Sequence, residues 1–573
     1  MNMKIKKHLL IVLLISLLFS CKNKEKTHLD NKAIVYFGGD IITMAGNQPE
    51  YEQALVVDNG IIQFVGALDE AMKIAGSGHK MIDLHGKTLL PGFLDGHSHY
   101  MNSLMVANQC MLYAPPSGPG SDVDSIIATL KIFATENHIK KGEMITGYGY
   151  DDTIMPNGRL LNRDDLDQAF PNNPVRIDHV SMHGTVLNSK AMEYYGINAE
   201  TETPHGGIIV RKPGTNEPYG LIMETAYKPI AEKIEKMTLD QAIEATKVGQ
   251  ILYAKEGITT AQEGFTLFDN LKTIKDVSDS GTNIIDVVAY PFVTEIDKSL
   301  ELIPQSEWLQ YDNNFKIGGI KITIDGSPQG RTAAFTKPYI TGGPAGEKVW
   351  YGELTFPKDS VNKAVKRVYE LKVPLILHCN GDAAIDTFLE AYEYVRNNDY
   401  TEPWNVTTIH TQFMTKDHIP NFVKYGIRPS FYTLHTYYFY EAHLANRGKK
   451  QAQYISPMRD AIDAGLEPSN HTDFVVAPLD QMFMLYSAVN RISRAGVVVG
   501  SDQKITPYEG LLTMTRFTAE QYGELNSKGT LEKGKRADLV ILDNNPLTVE
   551  YPLEIKDIEV IETIKDGVTI FKK

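Results

Sequence analysis

Between about residue 91 and residue 504, short apolar β-branched runs alternate with longer stretches of helical periodicity. Leu375-Ile376-Leu377 follows the helical stretch Ser360 to Leu371, and Val406 to Ile409 follows Ala383 to Asn397. A short run that is apolar throughout suits a strand buried on both faces, and strands separated by helices lie parallel. This alternation constrains the chain more than any other feature. It predicts an α/β fold with a parallel sheet, and residues 91–504 have room for a (β/α)8 barrel of the TIM type with insertions. The stretch from about 114 to 222 is rich in Pro, Gly and Asn and is expected to be an insertion that caps the barrel.

The two ends of the chain read differently. Ala33 to Phe37 and Asp40 to Met44 are strand candidates, and Ala54 to Asp58 and Ile61 to Val65 flank Asn59-Gly60. An Asn-Gly pair between apolar runs is a strong hairpin signal, because both residues tolerate positive φ. The C-terminal part shows the same pattern. Ala537 to Leu542 is a strand candidate, and Asp566-Gly567 divides Val560 to Phe571. Residues 33–90 and 505–573 are therefore expected to form one small β-sandwich domain closed by both chain ends. No internal repeat and no low-complexity tract is present.

Lys4, Lys6 and Lys7 precede an apolar run from Leu9 to Phe19 that ends Leu18-Phe19-Ser20-Cys21. A basic segment before a short apolar one reads as a secretory signal, and the run is shorter than the roughly 20 residues that span a bilayer. The ending resembles a lipobox. Residues 1–20 are thus expected to be a lipoprotein signal peptide, Cys21 the lipid attachment site and residues 21–32 a polar tether. The expected location is the cell envelope, in the periplasm or on the outer surface. Acyl chains hold such a protein by burying methylenes, at about 0.8 kcal/mol each. The other cysteines, Cys110 and Cys379, are too few for a disulfide framework. A net charge of −14 argues against nucleic acid as a partner.

The sharpest local motif is Pro91-Gly92-Phe93-Leu94-Asp95-Gly96-His97-Ser98-His99. Histidines two apart on a strand point the same way, so a strand end offers two imidazoles to one metal ion. Further candidates follow at strand ends: Lys321 inside an apolar strand, His378 after Leu375-Ile376-Leu377, His410 after Val406 to Ile409, and Asp473 in Ser469-Asn470-His471-Thr472-Asp473. A lysine inside an apolar strand is neutralised or paired, because a buried ammonium is costly. Each residue alone also suits a structural role, but together their order and flanking strands describe one site.

That order, His-x-His, Lys, His, His, Asp, resembles the amidohydrolase superfamily. More closely it resembles the amidohydrolase family 3 group, of the kind of the YtcJ-like proteins and N-substituted formamide deformylase. Similar stretches are Gly147 to Asp152, Asp178-His179 to Asn188-Ser189, Gly220 to Glu224 and Asp325-Gly326-Ser327 with Gly330 to Ala334. Others are His378-Cys379-Asn380-Gly381-Asp382 and Gly529 to Leu542. The chain departs from the group at His471-Thr472-Asp473, where Gly-Ser-Asp is common. It departs again at His378-Cys379-Asn380-Gly381-Asp382, where His-Ala-Ile-Gly-Asp is common.

The resemblance implies a metal-dependent hydrolase with a barrel at its centre. His97, His99 and Asp473 would hold one divalent metal ion and His378 and His410 another, with Lys321, carbamylated, bridging them. Zinc suits mixed nitrogen and oxygen ligands, with manganese, iron and cobalt as alternatives, and one ion with unmodified Lys321 remains open. Asp473 would serve as general base and then acid. His183 and His435 would reach an oxyanion, and Arg331 would bind a carboxylate as a fork. The expected reaction is hydrolysis of a non-peptide carbon–nitrogen bond in an amide, formamide or cyclic amide. The alternatives are ester or phosphoester hydrolysis, deamination or isomerisation on the same scaffold, or a silent ligand-binding lipoprotein. The expected partners are a small-molecule substrate, a membrane through the anchor and a second copy in a homodimer.

Overall fold

A computed structural model describes residues 32–573 except 205–206, 235–236, 345 and 398–401, and nothing of the side chain of residue 153. The expected signal peptide, Cys21 and the expected tether up to residue 31 lie outside the described residues. Among the described residues, no helix is long and apolar enough to cross a membrane.

The alternation in the middle of the chain folds as two parallel sheets. One carries Phe93–Leu94, Ile258–Thr266, Asp286–Pro291 and Phe315–Ile317; the other carries Ile320–Thr323, Leu375–Cys379, Val406–His410, Arg428–Phe431 and Ser469–Asn470. Helices Lys358–Leu371, Asp382–Arg396 and Ile419–Tyr425 separate successive strands of the second sheet. The sheets part at Gly318-Gly319. A Cβ on Gly319, at φ +150°, would lie 2.3 Å from the Pro374 carbonyl oxygen, so only glycine lets the chain pass there. Leu94, Val288 and Tyr290 of the first sheet pack with Ile376 and Ile409 of the second in one apolar cluster. Isolated parallel bridges at Phe292–Lys321 and Ser98–Phe474 link the sheets on both sides.

The chain ends meet in one eight-stranded mixed sheet. Its main order runs Val568–Lys572, Val560–Lys565, Leu539–Leu542, Thr88–Pro91, Ile34–Ile42, Tyr51–Asp58, Ile61–Gly66, and Lys80–Asp83 pairs with Ile34–Ile42. Both hairpin signals are realised as two-residue turns. Asp58 pairs with Ile61 around Asn59 (φ 49°) and Gly60 (φ 77°), and Lys565 with Val568 around Asp566 (φ 50°) and Gly567 (φ 74°). A fourth sheet, of six strands from Cys110–Met111 to Pro218–Glu224, carries its own apolar clusters around Tyr150 and Tyr195.

A buried ion cluster joins the small sheet to the parallel strands. Asp286, 0% exposed at the start of Asp286–Pro291, lies 2.5 Å from Lys528 Nζ, 2.9 Å from Lys565 Nζ and 3.0 Å from Arg536 Nη1. Burial alone would raise its pKa, but Lys528, Lys565 and Arg536 outweigh burial and hold it below the usual carboxylate range. Asp286→Ala is expected to cost about 3–5 kcal/mol in denaturant unfolding at pH 7, since it strands buried cations. The stabilisation is expected to be complete above the unfolded carboxylate pKa and to fade as pH falls through the lower folded value.

Candidate metal centre

The six ligand candidates converge where the parallel strands end. Alternation accounts for most of them. Ile376 lies in the cluster between the sheets, Lys321 pairs with Ile376 across the ladder, and His378 follows Ile376 by two, so all three face inward. His410 breaks the rule, because it follows inward-facing Ile409 directly. Its φ of +68° takes the backbone out of the strand conformation, and its ring lies 4.5 Å from that of His378 and 5.5 Å from that of His97. Asp473 also has positive φ, +55°. Such conformations cost of order 1–3 kcal/mol and cluster at functional sites.

Asp473 Oδ1 lies 3.6 Å from His97 Nε2 and 3.4 Å from His99 Nε2. Ligand atoms about 2.1 Å from a shared tetrahedral ion stand about 3.4 Å apart, so this spacing suits coordination. Asp473 Oδ1 and His410 Nδ1 are buried with no hydrogen-bond partner among the described residues. Ligand atoms of His97, His410 and Asp473 all lie within 4.8 Å of one another. This donor set fits a divalent metal ion.

The electrostatics follow from burial. Burial first, then Lys321, His99 and His471, hold His97 well below its ordinary pKa, and burial does the same to His410. Both therefore present neutral imidazole, the form that binds metals. Burial brings Lys321, 2% exposed, down to about 8 against the pull of Asp473 and Glu263. For Asp473, burial opposes ionisation, but His99 and neighbouring imidazoles prevail and its pKa falls.

The sequence reading missed the residues that orient these groups. His97 Nδ1 lies 2.6 Å from Gln262 Oε1, while the Gln262 amide nitrogen donates to Gly96 O at 3.2 Å and to Tyr522 Oη at 3.0 Å. These two donations fix the amide, so His97 keeps its proton on Nδ1 and turns the Nε2 lone pair toward Asp473. Gly264 makes room, since a Cβ there would lie 2.2 Å from His97 Cε1. His378 Nδ1 lies 3.3 Å from Asp325, whose carboxylate accepts from the backbone N–H groups of Ala334, Asn380 and Gly381. Glu263, 2% exposed, accepts from Met101 N at 2.7 Å, and burial lifts its pKa to about 7. His471 is fully buried with its ring 5.0 Å from His410 and 5.3 Å from His97. Polar Gln262 and Glu263 inside the buried strand Ile258–Thr266 were the available signal.

The three expected substrate contacts divide. His435 is buried, its ring 4.5 Å from Tyr432, which in turn lies 6.1 Å from His410. His183 is solvent-exposed and pairs with Glu224 at 3.3 Å. Arg331 donates to Gly343 O at 3.1 Å and lines a surface cavity of about 440 Å³ that none of the six candidates lines. His183 and Arg331 are thus not brought into the cluster. Gln262→Leu is expected to weaken metal affinity about 10–100-fold with the fold retained, read by chelator competition and thermal melting.

A model of the amidohydrolase family matches residues 80–571. N-substituted formamide deformylase of Arthrobacter pascens is 25% identical over 549 residues, 91% of this chain and 95% of that protein. Putative amidohydrolase YtcJ of Bacillus subtilis (strain 168) is 24% identical over 550 residues, 94% of this chain and 99% of that protein. The crystal structure of an uncharacterized metal-dependent hydrolase from Pyrococcus furiosus superposes with a TM-score of 0.69 at 23% identity, over 90% of this chain and all of that one. With its fold, its buried donor set and a match along most of its length, the chain belongs to the amidohydrolase family.

Proposed function

We propose that this metal-dependent hydrolase cleaves carbon–nitrogen bonds other than peptide bonds, with N-substituted formamides as the first substrates to try. The observation that carries the reading is the convergence of His97, His99, Lys321, His378, His410 and Asp473 at the strand ends. The deformylase relative adds the substrate class. The two parallel sheets are read as one (β/α)8 barrel of residues 91–504, with Phe315–Ile317 and Ile320–Thr323 as a single interrupted strand. The six-stranded sheet is read as a cap inserted at about 114–222. Residues 33–90 and 505–573 form the small domain, a sandwich in which the sheet folds over the cluster of Tyr36, Leu55, Leu539 and Ile564.

His97, His99 and Asp473 would hold one zinc ion and His378 and His410 a second. A bound metal supplies a Lewis acid that polarises the carbonyl and brings the pKa of a water near 7. Lys321, once its neutral Nζ has added to carbon dioxide with loss of one proton, would supply an anionic oxygen ligand for the metal. Asp473 accepts the proton of the attacking water and returns it to the departing nitrogen. Asp473→Asn is expected to lower kcat for formate release from an N-substituted formamide about 10²–10⁴-fold. Unchanged kcat would remove Asp473 from the proton transfer, and no turnover of any amide by metal-loaded enzyme would contradict the reaction class.

The basic and apolar run before Cys21 supports a lipid-anchored location in the cell envelope. Cys21→Ser is expected to move the full-length protein from the membrane to the soluble fraction. Retention in the membrane would contradict the anchor.

A further inference from the structure

After the strand Arg428–Phe431 the chain carries polar groups that the metal chemistry does not use. His435, 3% exposed, and His443, 0% exposed, sit on the consecutive short helices His435–Tyr438 and Tyr440–Arg447. His435 Nδ1 lies 2.9 Å from His443 Nε2, with the ring planes 14° apart. Burial lowers both pKa values, that of His443 to about 3, so both rings are neutral and each carries one proton. One ring therefore donates to the other, and the surroundings of His443 decide which.

His443 Nδ1 is buried without a hydrogen-bond partner among the described residues, in a ring packed 5.3 Å from that of Phe413. If His435 donated, His443 Nδ1 would carry an N–H with no acceptor, the rarest kind of buried polar group. If His443 Nε2–H donates, Nδ1 keeps only a lone pair, and the His435 proton stands on Nε2. Tyr432 adds a second donor. Its ring packs 4.5 Å from that of His435, and its Oη is buried with no partner among the described residues.

We infer that His443 is a positioning residue that locks His435 in the Nε2–H tautomer, so that His435 and Tyr432 donate hydrogen bonds to a carbonyl or anionic oxygen of the substrate beside the metal ligands. Fixed donors aimed where negative charge develops strengthen in the transition state and need no reorganisation. Calling that oxygen the one on the hydrolysed acyl group rests on the hydrolase reading; the place of the proton does not.

The test is ¹⁵N NMR of histidine-labelled protein, with the His435 signals assigned by their loss in His435→Gln. Wild type and His443→Gln, whose amide can still donate, are expected to show His435 protonated on Nε2 alone. His443→Leu is expected to populate both tautomers and to lower formamide kcat about 10²-fold at unchanged KM and metal content, with His443→Gln restoring most of it. If His443→Leu fails to fold, the tautomer in wild type and His443→Gln still decides. A His435 proton on Nδ1 in wild type overturns the proposal. The expected tautomers without amide turnover would uphold the lock and contradict only the hydrolase reading.

Discussion

Asp473 carries its carboxylate into a pocket walled by imidazoles and by Lys321, where His97, Lys321 and His410 are each 5% exposed or less. Taking such groups out of water costs several kcal/mol per ion, and nearby opposite charge compensates only when the remaining lone pairs and protons also find partners. Here the partners are arranged ahead of the chemistry. Gln262 takes the proton side of His97, Asp325 stands at Nδ1 of His378, and Asp473 Oδ1 is left facing two Nε2 atoms. The donor set of the pocket fits a cation, and the backbone holds positive φ at both His410 and Asp473.

The rest of the molecule holds that pocket in place from two sides. Below it, Asp286 draws Lys528, Arg536 and Lys565 from the C-terminal part of the chain onto a parallel strand, so the small sheet and the strands are fastened by buried charge. From the six-stranded sheet, Tyr148 donates to the Val475 carbonyl at 2.8 Å, and Tyr113, just beyond that sheet's first strand, donates to the same oxygen at 2.9 Å. Val475 lies two residues past Asp473, so the inserted sheet bears on the position of that carboxylate.

Much of this was legible because periodicity and turn chemistry are local. Asn59-Gly60 and Asp566-Gly567 form the turns their φ preferences require. The helices preceding Leu375–Cys379 and Val406–His410 fall within a few residues of their expected bounds. Among the ligand candidates, His378 and His410 were legible because each ends an apolar run, and Lys321 because it interrupts one. What stayed hidden depends on contacts between distant segments. Gln262 meets His97 across 165 residues of sequence, and its polarity inside a buried strand does not say which side chain it meets. His410 reaches the pocket against strand alternation, through a backbone conformation no pattern records. His183 and Arg331 matched motifs, yet one faces solvent and the other a surface cavity, because a motif fixes residue type and not direction.

The central claim is that these six side chains form a metal centre, and metal content by mass spectrometry measures it most directly. The protein lacking residues 1–21 would be purified as wild type, His97→Ala and Lys321→Ala, then repleted with zinc and bicarbonate. About two ions per chain in wild type, falling in both variants, is the result expected of paired ions bridged through Lys321. About one ion that survives Lys321→Ala would leave the hydrolase and remove the bridge. No bound ion after repletion with zinc or manganese would contradict the account.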